Sequence, residues 1–337
     1  MRLLVTGGLG FIGSNFIRLV LAERAGWSVV NLDLVTYAGN PANLEGIKEG
    51  PTYRFLKGDI AEAADVRRAW EGCDAIVNFA AETHVDRSIL SAAPFVRTNV
   101  VGTQVLLDAL RERTGCRLVH VSTDEVYGAL EPGTPPLTEA APLDPTSPYA
   151  ASKAAADHLV LAASRTHGTD AVVTRCTNNY GPYQFPEKLI PLMVTNAIEG
   201  KPLPVYGDGM QVRDWIHVED HARGVLAALE KGKSGEVYNF GSRSEKANIE
   251  VVKRIIAMLG ASPGLLDHVT DRPAHDRRYA LDPAKAERAL GWKPRRTFEG
   301  GLADTVRWYT AHEPWWRAVK DGSYRQFYRA WYEERTA

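Results

Sequence analysis

The sequence from residue 3 to residue 13 is Leu3-Leu4-Val5-Thr6-Gly7-Gly8-Leu9-Gly10-Phe11-Ile12-Gly13. Its first three residues are apolar and predict a buried β-strand, and the apolar pattern after Gly13 predicts a helix. Glycines in the turn between the two elements let a pyrophosphate approach the backbone, and the start of the helix offers free N–H groups. A tight turn without a ligand is the alternative, but the position between a strand and a helix favours a dinucleotide site.

The rest of the chain repeats this alternation of strands and helices. Further apolar runs predict strands at 27–33, 53–56, 75–79, 118–121, 172–176 and 237–241. We therefore predict an α/β protein with a doubly wound parallel sheet of Rossmann type and a smaller mixed α/β substrate lobe. Residues 1–176 are expected to form mainly the cofactor domain and 177–337 mainly the substrate lobe, with about 212–242 returning to the cofactor domain.

The predicted second strand ends at Asp33, twenty positions after Gly13. An acid at this spacing binds the ribose hydroxyls of adenosine and repels a 2′-phosphate, which predicts NAD rather than NADP. A helix cap or a surface acid is the alternative for Asp33.

Composition excludes several classes of protein. The chain has 337 residues, 45% hydrophobic and 24% charged, and a formal net charge of −1. This balance argues against a general nucleic-acid or membrane-surface binder. Its three cysteines are isolated, which predicts neither a metal site nor a disulfide framework and fits a reducing cytosol. The chain begins with Met1-Arg2 and a strand, so we expect a cytoplasmic protein without a signal peptide or a membrane span.

Two segments carry residues suited to proton transfer. The predicted strand 118–121 leads into Ser122-Thr123-Asp124-Glu125-Val126-Tyr127-Gly128, and a predicted helix begins near Tyr149. Tyr149 and Lys153 lie one helical turn apart, so the ammonium is expected to lower the pKa of the phenol. Such a phenol can take a proton from a sugar hydroxyl near neutral pH. The two adjacent acids indicate a second proton transfer beyond alcohol oxidation, unless they are solvated surface charges.

These motifs carry a resemblance to a known family. The Tyr-x-x-x-Lys pattern at 149–153, Thr123 and the glycine turn resemble the extended short-chain dehydrogenase/reductase superfamily. The run 122–128 is similar to the nucleoside-diphosphate-sugar 4,6-dehydratases, and over nearly the whole chain the similarity is greatest to the branch that acts on dTDP-glucose. The resemblance implies an NAD-dependent homodimer. Alternatives are a dehydratase for UDP- or CDP-glucose, or a 4-epimerase, whose relatives share the tyrosine and lysine but lack the acid pair.

In the implied reaction, C4 of the hexose is oxidised, water leaves across C5–C6, and the hydride returns to C6. Tyr149 would deprotonate the C4 hydroxyl, Lys153 would also bind the nicotinamide ribose, and Thr123 would hydrogen-bond the C4 oxygen. The resemblance makes Asp124 the acid for the departing C6 hydroxyl and Glu125 the base at C5. Because two adjacent carboxyl groups do not ionise equally easily, one of them should keep its proton.

Two larger sets of binding residues follow from the motifs and the resemblance. The expected cofactor contacts are Gly7, Gly10, Phe11, Ile12, Gly13, Asp33, Leu34, Thr36, Asp59, Ile60, Ala80, Ala81, Thr98, Tyr149, Lys153 and Asn179. The expected substrate contacts are Thr83, His84, Thr123, Asn178, Lys188, Leu189, Pro204, Tyr206, Arg213, Asn248, Arg272 and His275.

Several of these residues have a structural alternative. Asp59 is expected to face the adenine, to cap the following helix, or both. His84 is as consistent with a structural role as with a functional one, and the Asn178-Asn179 pair is also typical of a turn. Arg213 suits a diphosphate but also a salt bridge to Asp214 or Asp220. Asn248 either binds the nucleotide or caps a helix.

Overall fold

A computed structural model describes residues 1–271 and 275–320 of the chain. Arg272 and the segment after residue 320 lie outside the described residues. The strands are β1 (Arg2–Thr6), β2 (Ser28–Asp33), β3 (Tyr53–Lys57), β4 (Ala75–Asn78), β5 (Arg117–Thr123), β6 (Asp170–Cys176), β7 (Asn178–Tyr180), β8 (Leu203–Tyr206), β9 (Val212–His217), β10 (Val237–Phe240), β11 (Glu245–Ala247), β12 (Leu266–Val269) and β13 (Arg278–Tyr279).

Helices connect and cover these strands. They are α1 (Phe11–Glu23), α2 (Ala63–Trp70), α3 (Val85–Leu90), α4 (Ala93–Phe95), α5 (Gly102–Arg111), α6 (Pro148–His167), α7 (Leu189–Glu199), α8 (Val218–Lys231), α9 (Asn248–Leu259), α10 (Ala284–Leu290), α11 (Phe298–Ala311) and α12 (Glu313–Val319). A π-helical segment, Val96–Val101, joins α4 to α5. None of the helices in the described part of the chain is long and apolar enough to span a bilayer.

The large sheet confirms the predicted doubly wound architecture. Its seven strands are parallel and have the order β3-β2-β1-β4-β5-β6-β10. The strands are almost continuously apolar because helices cover both faces. One core contains Phe16 and Ile17 of α1 with Val225 of α8. The core on the other face contains Leu106 of α5 and Val160 of α6.

Several strand boundaries differ from the sequence prediction by one or two residues. β5 extends to Thr123, because its pairing with β6 continues as far as Thr123 opposite Cys176. The helix predicted to follow Asp59 begins at Ala63, with Glu62 as its N-cap. Asp59 accepts a hydrogen bond from the backbone N–H of Ala61 at 2.8 Å, so its carboxylate stabilises the turn before the helix.

The smaller lobe has its own core. β7, β9, β11 and β13 form a four-stranded sheet, and β8 pairs with β12. Trp215, Phe298, Tyr309 and Trp316 are buried together with apolar residues of α7 and α9.

The chain passes between the lobes more than once. Of the segment 212–242, β9 belongs to the smaller sheet, whereas α8 packs on the large sheet and β10 is its edge strand. The chain then returns to the smaller lobe through β11 and α9.

Candidate active site

A cleft of about 300 Å³ lies at the carboxyl ends of the central strands of the large sheet. In an open parallel sheet this edge is where ligands bind. All sixteen residues predicted to contact the cofactor line the cleft, and so do all five predicted catalytic residues. Four of the predicted substrate contacts, Thr83, Thr123, Asn178 and Lys188, line it as well.

The glycine turn is packed so tightly that side chains would not fit. Gly7 has a φ of +68°, and a Cβ there would lie 2.6 Å from the backbone nitrogen of Ala80. A Cβ on Gly13 would lie 2.3 Å from the carbonyl oxygen of Gly7. Gly10 is the N-cap of α1, and the first N–H groups of a helix have no partner within the helix. The turn therefore presents bare backbone and N–H donors to the cleft, as an anion site requires.

Asp33 lies at the end of β2 and is held by the backbone around it. One carboxylate oxygen accepts the N–H of Leu9 at 2.9 Å, and the other accepts the N–H of Val35 at 2.8 Å. Burial raises the pKa of Asp33, and these two hydrogen bonds oppose the shift. Each oxygen has a further lone pair that can accept a hydrogen bond from a ribose hydroxyl. Asp33 is not a helix cap, and its side chain is buried rather than on the surface.

Tyr149 and Lys153 lie one turn apart on α6 and are both buried. Burial raises the pKa of Tyr149 well above its usual value, and the nearby Glu125 carboxylate raises it further, while a hydrogen bond with Thr123 lowers it. We expected a lowered pKa for this phenol. The difference arises because Tyr149 is itself buried, which disfavours the charged phenolate. Burial also lowers the pKa of Lys153, to about 8. The ammonium also donates to the carbonyl oxygen of Val121 at 2.7 Å.

The two acids lie inside the cleft. Asp124 is 4% exposed, and one of its oxygens has no hydrogen-bond partner among the described residues. The other accepts the Thr123 hydroxyl at 3.2 Å. Burial raises the pKa of Asp124 well above its usual value, and Glu125 raises it further. Arg213 opposes the shift. Asp124 therefore keeps its proton to higher pH than an ordinary aspartate, as a general acid must.

Seven other predicted substrate residues, all within the described part of the chain, do not line this cleft. They are His84, Leu189, Pro204, Tyr206, Arg213, Asn248 and His275, and apart from His84 they belong to the smaller lobe. Leu189 is the first residue of α7, and Pro204 lies on β8. Ala247, not Asn248, is the N-cap of α9, so the capping alternative for Asn248 is wrong.

Arg213 links the smaller lobe to the acids. Its guanidinium donates to the backbone oxygens of Val212 and Asp276 and lies over the Tyr279 ring, 4.5 Å from the ring centre. The Asp214 carboxylate, one of its proposed salt-bridge partners, accepts N–H groups from residues 242–244. Arg213 is buried, and its charge acts on Asp124.

Three other predicted substrate residues have protein partners. The Tyr206 hydroxyl donates to Asp86 at 3.1 Å. The His275 ring lies 2.5 Å from Asp271 through Nδ1. His84 is buried, with Nε2 3.7 Å from the Glu187 carboxylate.

Sequence reasoning missed three residues at this site. Glu187 is buried, lines the cleft and accepts a hydrogen bond from Arg87 at 3.3 Å. Tyr279 is buried, which raises its pKa, and the nearby Glu125 carboxylate raises it further. Asn99 bonds both the N–H and the C=O of Glu82, at 2.9 and 3.0 Å, and the Ser152 hydroxyl at 2.8 Å. Their roles depend on contacts between distant segments, so no local pattern indicates them.

The fold and the site define the class of sugar-nucleotide dehydratases with a dinucleotide-binding domain. The family model described as GDP-mannose 4,6 dehydratase matches residues 4–305. A dTDP-glucose 4,6-dehydratase from Neisseria meningitidis serogroup B is 50% identical over 96% of this chain and 97% of its own length. The chain belongs to the dTDP-glucose 4,6-dehydratase family.

Solved structures agree with this assignment. The dTDP-glucose 4,6-dehydratase DesIV from Streptomyces venezuelae, solved with NAD bound, is 51% identical and superposes with a TM-score of 0.92 over 95% of this chain and all of its own. A UDP-glucose 4-epimerase from Thermus thermophilus in complex with NAD is 30% identical, with a TM-score of 0.85 over 93% of this chain and all of its own. The fold is thus shared with epimerases, while the sequence is much closer to the dehydratase.

Proposed function

We propose that this chain is an NAD-dependent dTDP-glucose 4,6-dehydratase that produces dTDP-4-dehydro-6-deoxyglucose. The observation that supports this most directly is the buried Asp124 beside Glu125, in the same cleft as Tyr149. Oxidation and reduction of a sugar alcohol require only the tyrosine and its lysine. A buried acid next to a second carboxyl group is needed only when a C–H proton and a hydroxyl group both leave the substrate.

The residues of the glycine turn and of β2 fit NAD. Side chains at Gly7 and Gly13 would collide with neighbouring backbone, so the space above the turn stays open to a pyrophosphate. The fixed carboxylate of Asp33 suits the adenosine ribose. Bound NAD would accept the hydride from C4 and, once reduced, supply the hydride for C6, and its positively charged ring would favour the phenolate of Tyr149.

In the first step Tyr149 takes the proton of the C4 hydroxyl while the C4–H leaves as hydride, which makes C4 a ketone. Burial and Glu125 raise the pKa of Tyr149, so the phenol depends on nearby positive charge to lose its proton. The ammonium of Lys153 provides part of that charge. Thr123 is 8% exposed at the end of β5 and hydrogen-bonds the C4 oxygen, which fixes the sugar against the tyrosine.

In the second step Glu125 removes the C5 proton, which the C4 ketone has made acidic. Asp124 gives its proton to the C6 hydroxyl, which leaves as water, and a C5–C6 double bond forms. Hydride addition at C6 and return of the proton from Glu125 to C5 then remove this double bond, which leaves a methyl group at C6 and the ketone at C4. Asp124 acts as the acid and Glu125 as the base because Asp124 is buried and keeps its proton more readily, whereas Glu125 is only partly buried.

The segments of the smaller lobe hold the nucleotide in this proposal. Residues 1–176 with α8 and β10 form the cofactor domain, and the lobe around β8 and β9 binds dTDP. The Arg213 guanidinium suits a diphosphate, and the Tyr206 ring offers a face on which a pyrimidine can stack.

We also propose a cytoplasmic homodimer. Leu90, Val96 and Val101 are large apolar side chains that are 68%, 50% and 45% exposed along α3 and the π-helical segment, where a second copy would cover them. The three cysteines are free and buried, in keeping with a reducing compartment. Sedimentation velocity of the purified chain tests the dimer.

The function is tested by parallel incubation with dTDP-glucose, UDP-glucose and CDP-glucose, with mass spectrometry for loss of water. We expect the 4-keto-6-deoxy product from dTDP-glucose in preference to the other two. A galacto product of unchanged mass would instead identify an epimerase, and preference for UDP- or CDP-glucose would refute the nucleotide assignment.

Two variants test the roles separately. Tyr149→Phe should abolish hydride transfer, because the base for the C4 hydroxyl is gone. Glu125→Gln should still oxidise C4 but exchange the C5 proton with solvent deuterium more slowly. Near-normal turnover by the first variant, or unchanged dehydration by the second, would contradict the assignments.

A further inference from the structure

A buried polar layer lies beneath the catalytic tyrosine and lysine. β4 and β5 pair with Asn78 opposite His120, and both side chains are buried, the histidine completely. Neither residue lines the cleft. The mechanism above does not use them, although His120 lies only three positions before Thr123.

In this layer, each hydrogen bond fixes which atom of the next side chain is the donor, from Ala80 through Thr6 and Asn78 to His120. The backbone N–H of Ala80 donates to Thr6 Oγ1 at 3.4 Å, so the Thr6 hydroxyl gives its own proton to Asn78 Oδ1 at 2.6 Å. The amide oxygen of Asn78 therefore accepts this hydrogen bond, and the Nδ2 group of Asn78 lies 3.2 Å from His120 Nδ1. Because an amide NH₂ only donates, His120 Nδ1 is the acceptor and the ring proton is on Nε2.

The Nε2–H of His120 faces two groups. Lys153 Nζ lies 3.3 Å away, and Asp157 Oδ1 lies 3.7 Å away. Asp157 Oδ1 has no hydrogen-bond partner within the described residues, while the other oxygen of Asp157 accepts Arg175 Nε at 2.8 Å. An ammonium cannot accept a hydrogen bond, whereas a neutral amine can. Which of the two groups receives the imidazole N–H therefore depends on the charge of Lys153.

We propose that His120 is a positioning residue for Lys153, a role that rests on the function proposed above. Its Nε2–H donates to Lys153 Nζ when the lysine is an amine. When the lysine is an ammonium, a small shift of the ring from the present 3.7 Å brings Nε2–H within hydrogen-bond distance of Asp157 Oδ1. The lysine can change its protonation state without leaving a buried donor unpaired, which would be costly. His120 thereby helps to set the pH range in which Lys153 is charged and supports the Tyr149 phenolate.

The charged and titratable groups packed around Lys153 come from three elements. They are His120 on β5, Tyr149 and Asp157 on α6, and Arg175 and Cys176 on β6. Burial lowers the pKa of Lys153, and Asp157 and Cys176 oppose the shift. Burial also lowers the pKa of His120, as do Lys153 and Arg175, so the ring stays neutral while the lysine titrates.

The first test compares His120→Phe with His120→Gln. Phenylalanine keeps an aromatic ring but removes the Nε2–H, so Asp157 Oδ1 is left free to stabilise the ammonium. Glutamine can place an amide N–H near the position of Nε2–H. We expect the alkaline limb of the pH profile of kcat to move up by about one pH unit in His120→Phe and to stay in place in His120→Gln. No displacement in the first variant, or an equal displacement in both, would overturn the proposal.

The second test reads the tautomer directly and does not depend on turnover. Nitrogen NMR of the wild-type protein labelled with ¹⁵N-histidine should show one buried ring that carries its proton on Nε2 and does not titrate across the alkaline limb. Whichever of the two variants folds assigns the signal by its loss among the nine histidines. A proton on Nδ1, or a ring that titrates, would refute the role of His120 even if the substrate assay supports the dehydratase.

Discussion

Asn99 is the residue whose replacement gives the clearest quantitative prediction. It lies in the π-helical segment, it is 1% exposed, and its amide joins the loop after β4 to α6. Asn99→Ala removes three side-chain hydrogen bonds, two with the backbone of Glu82 and one with Ser152. At about 1 kcal/mol for each bond, the free energy of unfolding should fall by roughly 3 kcal/mol.

The loop that Asn99 holds runs through Ala80 to Thr83, which line the cleft. In the variant this loop must be ordered when the cofactor binds, so NAD should bind about tenfold more weakly, which corresponds to about 1.4 kcal/mol. Urea unfolding gives the stability, and calorimetric titration of cofactor-stripped protein gives the affinity. Thr134→Ala is the matched control, because the exposed Thr134 hydroxyl makes a single bond to Glu131 at 2.7 Å, and it should change stability by less than about 0.5 kcal/mol.

The refuting result for Asn99 is an alanine variant as stable as the Thr134→Ala control, with unchanged NAD affinity. Glu82 would then keep its backbone hydrogen bonded without the Asn99 amide, and Asn99 would have no part in shaping the cleft.

Two further substitutions probe the acid and the glycine turn. Asp124→Asn should still oxidise C4 but lose water slowly. Because burial and Glu125 raise the pKa of Asp124 in the folded state, wild-type stability is full below the unfolded pKa and declines as pH rises through the folded value. In urea titrations, the stability of Asp124→Asn relative to wild type should therefore increase as the pH rises above the unfolded pKa of about 4, and a constant difference would contradict a buried, protonated Asp124. Gly13→Ala should fold poorly or lose NAD affinity, because its Cβ would meet the Gly7 carbonyl oxygen at 2.3 Å. Normal cofactor affinity in a well-folded variant would show that the turn can relax.

The strands of the large sheet could be predicted from the sequence because each is marked by a pattern of neighbouring residues. Apolar runs mark the buried strands, and the glycine spacing after β1 marks the turn that lines the cleft. Tyr149 and Lys153 lie on the same face of their helix because they are four residues apart, and this does not depend on the rest of the fold. The predicted fold class is confirmed.

The electrostatics of the site could not be predicted in the same way. An ammonium one turn from a phenol should lower the phenol pKa, but the depth of burial of Tyr149 and Lys153 is a property of the packed molecule. Burial reverses the expected shift for Tyr149. Arg213 acts on Asp124 across 89 positions of the chain, and no periodic pattern reports such a contact.

The course of the chain between β6 and α9 also limits how this enzyme can be re-engineered. Substrate preference is often altered by exchanging a whole recognition module between relatives. Here β7 and β9 belong to the four-stranded sheet of the smaller lobe. The chain then adds β10 to the edge of the large sheet and returns to the smaller sheet with β11. A single crossover near residue 176 would transfer an edge strand along with the recognition module, so a chimera that keeps its own nucleotide site needs at least two additional junctions around α8 and β10.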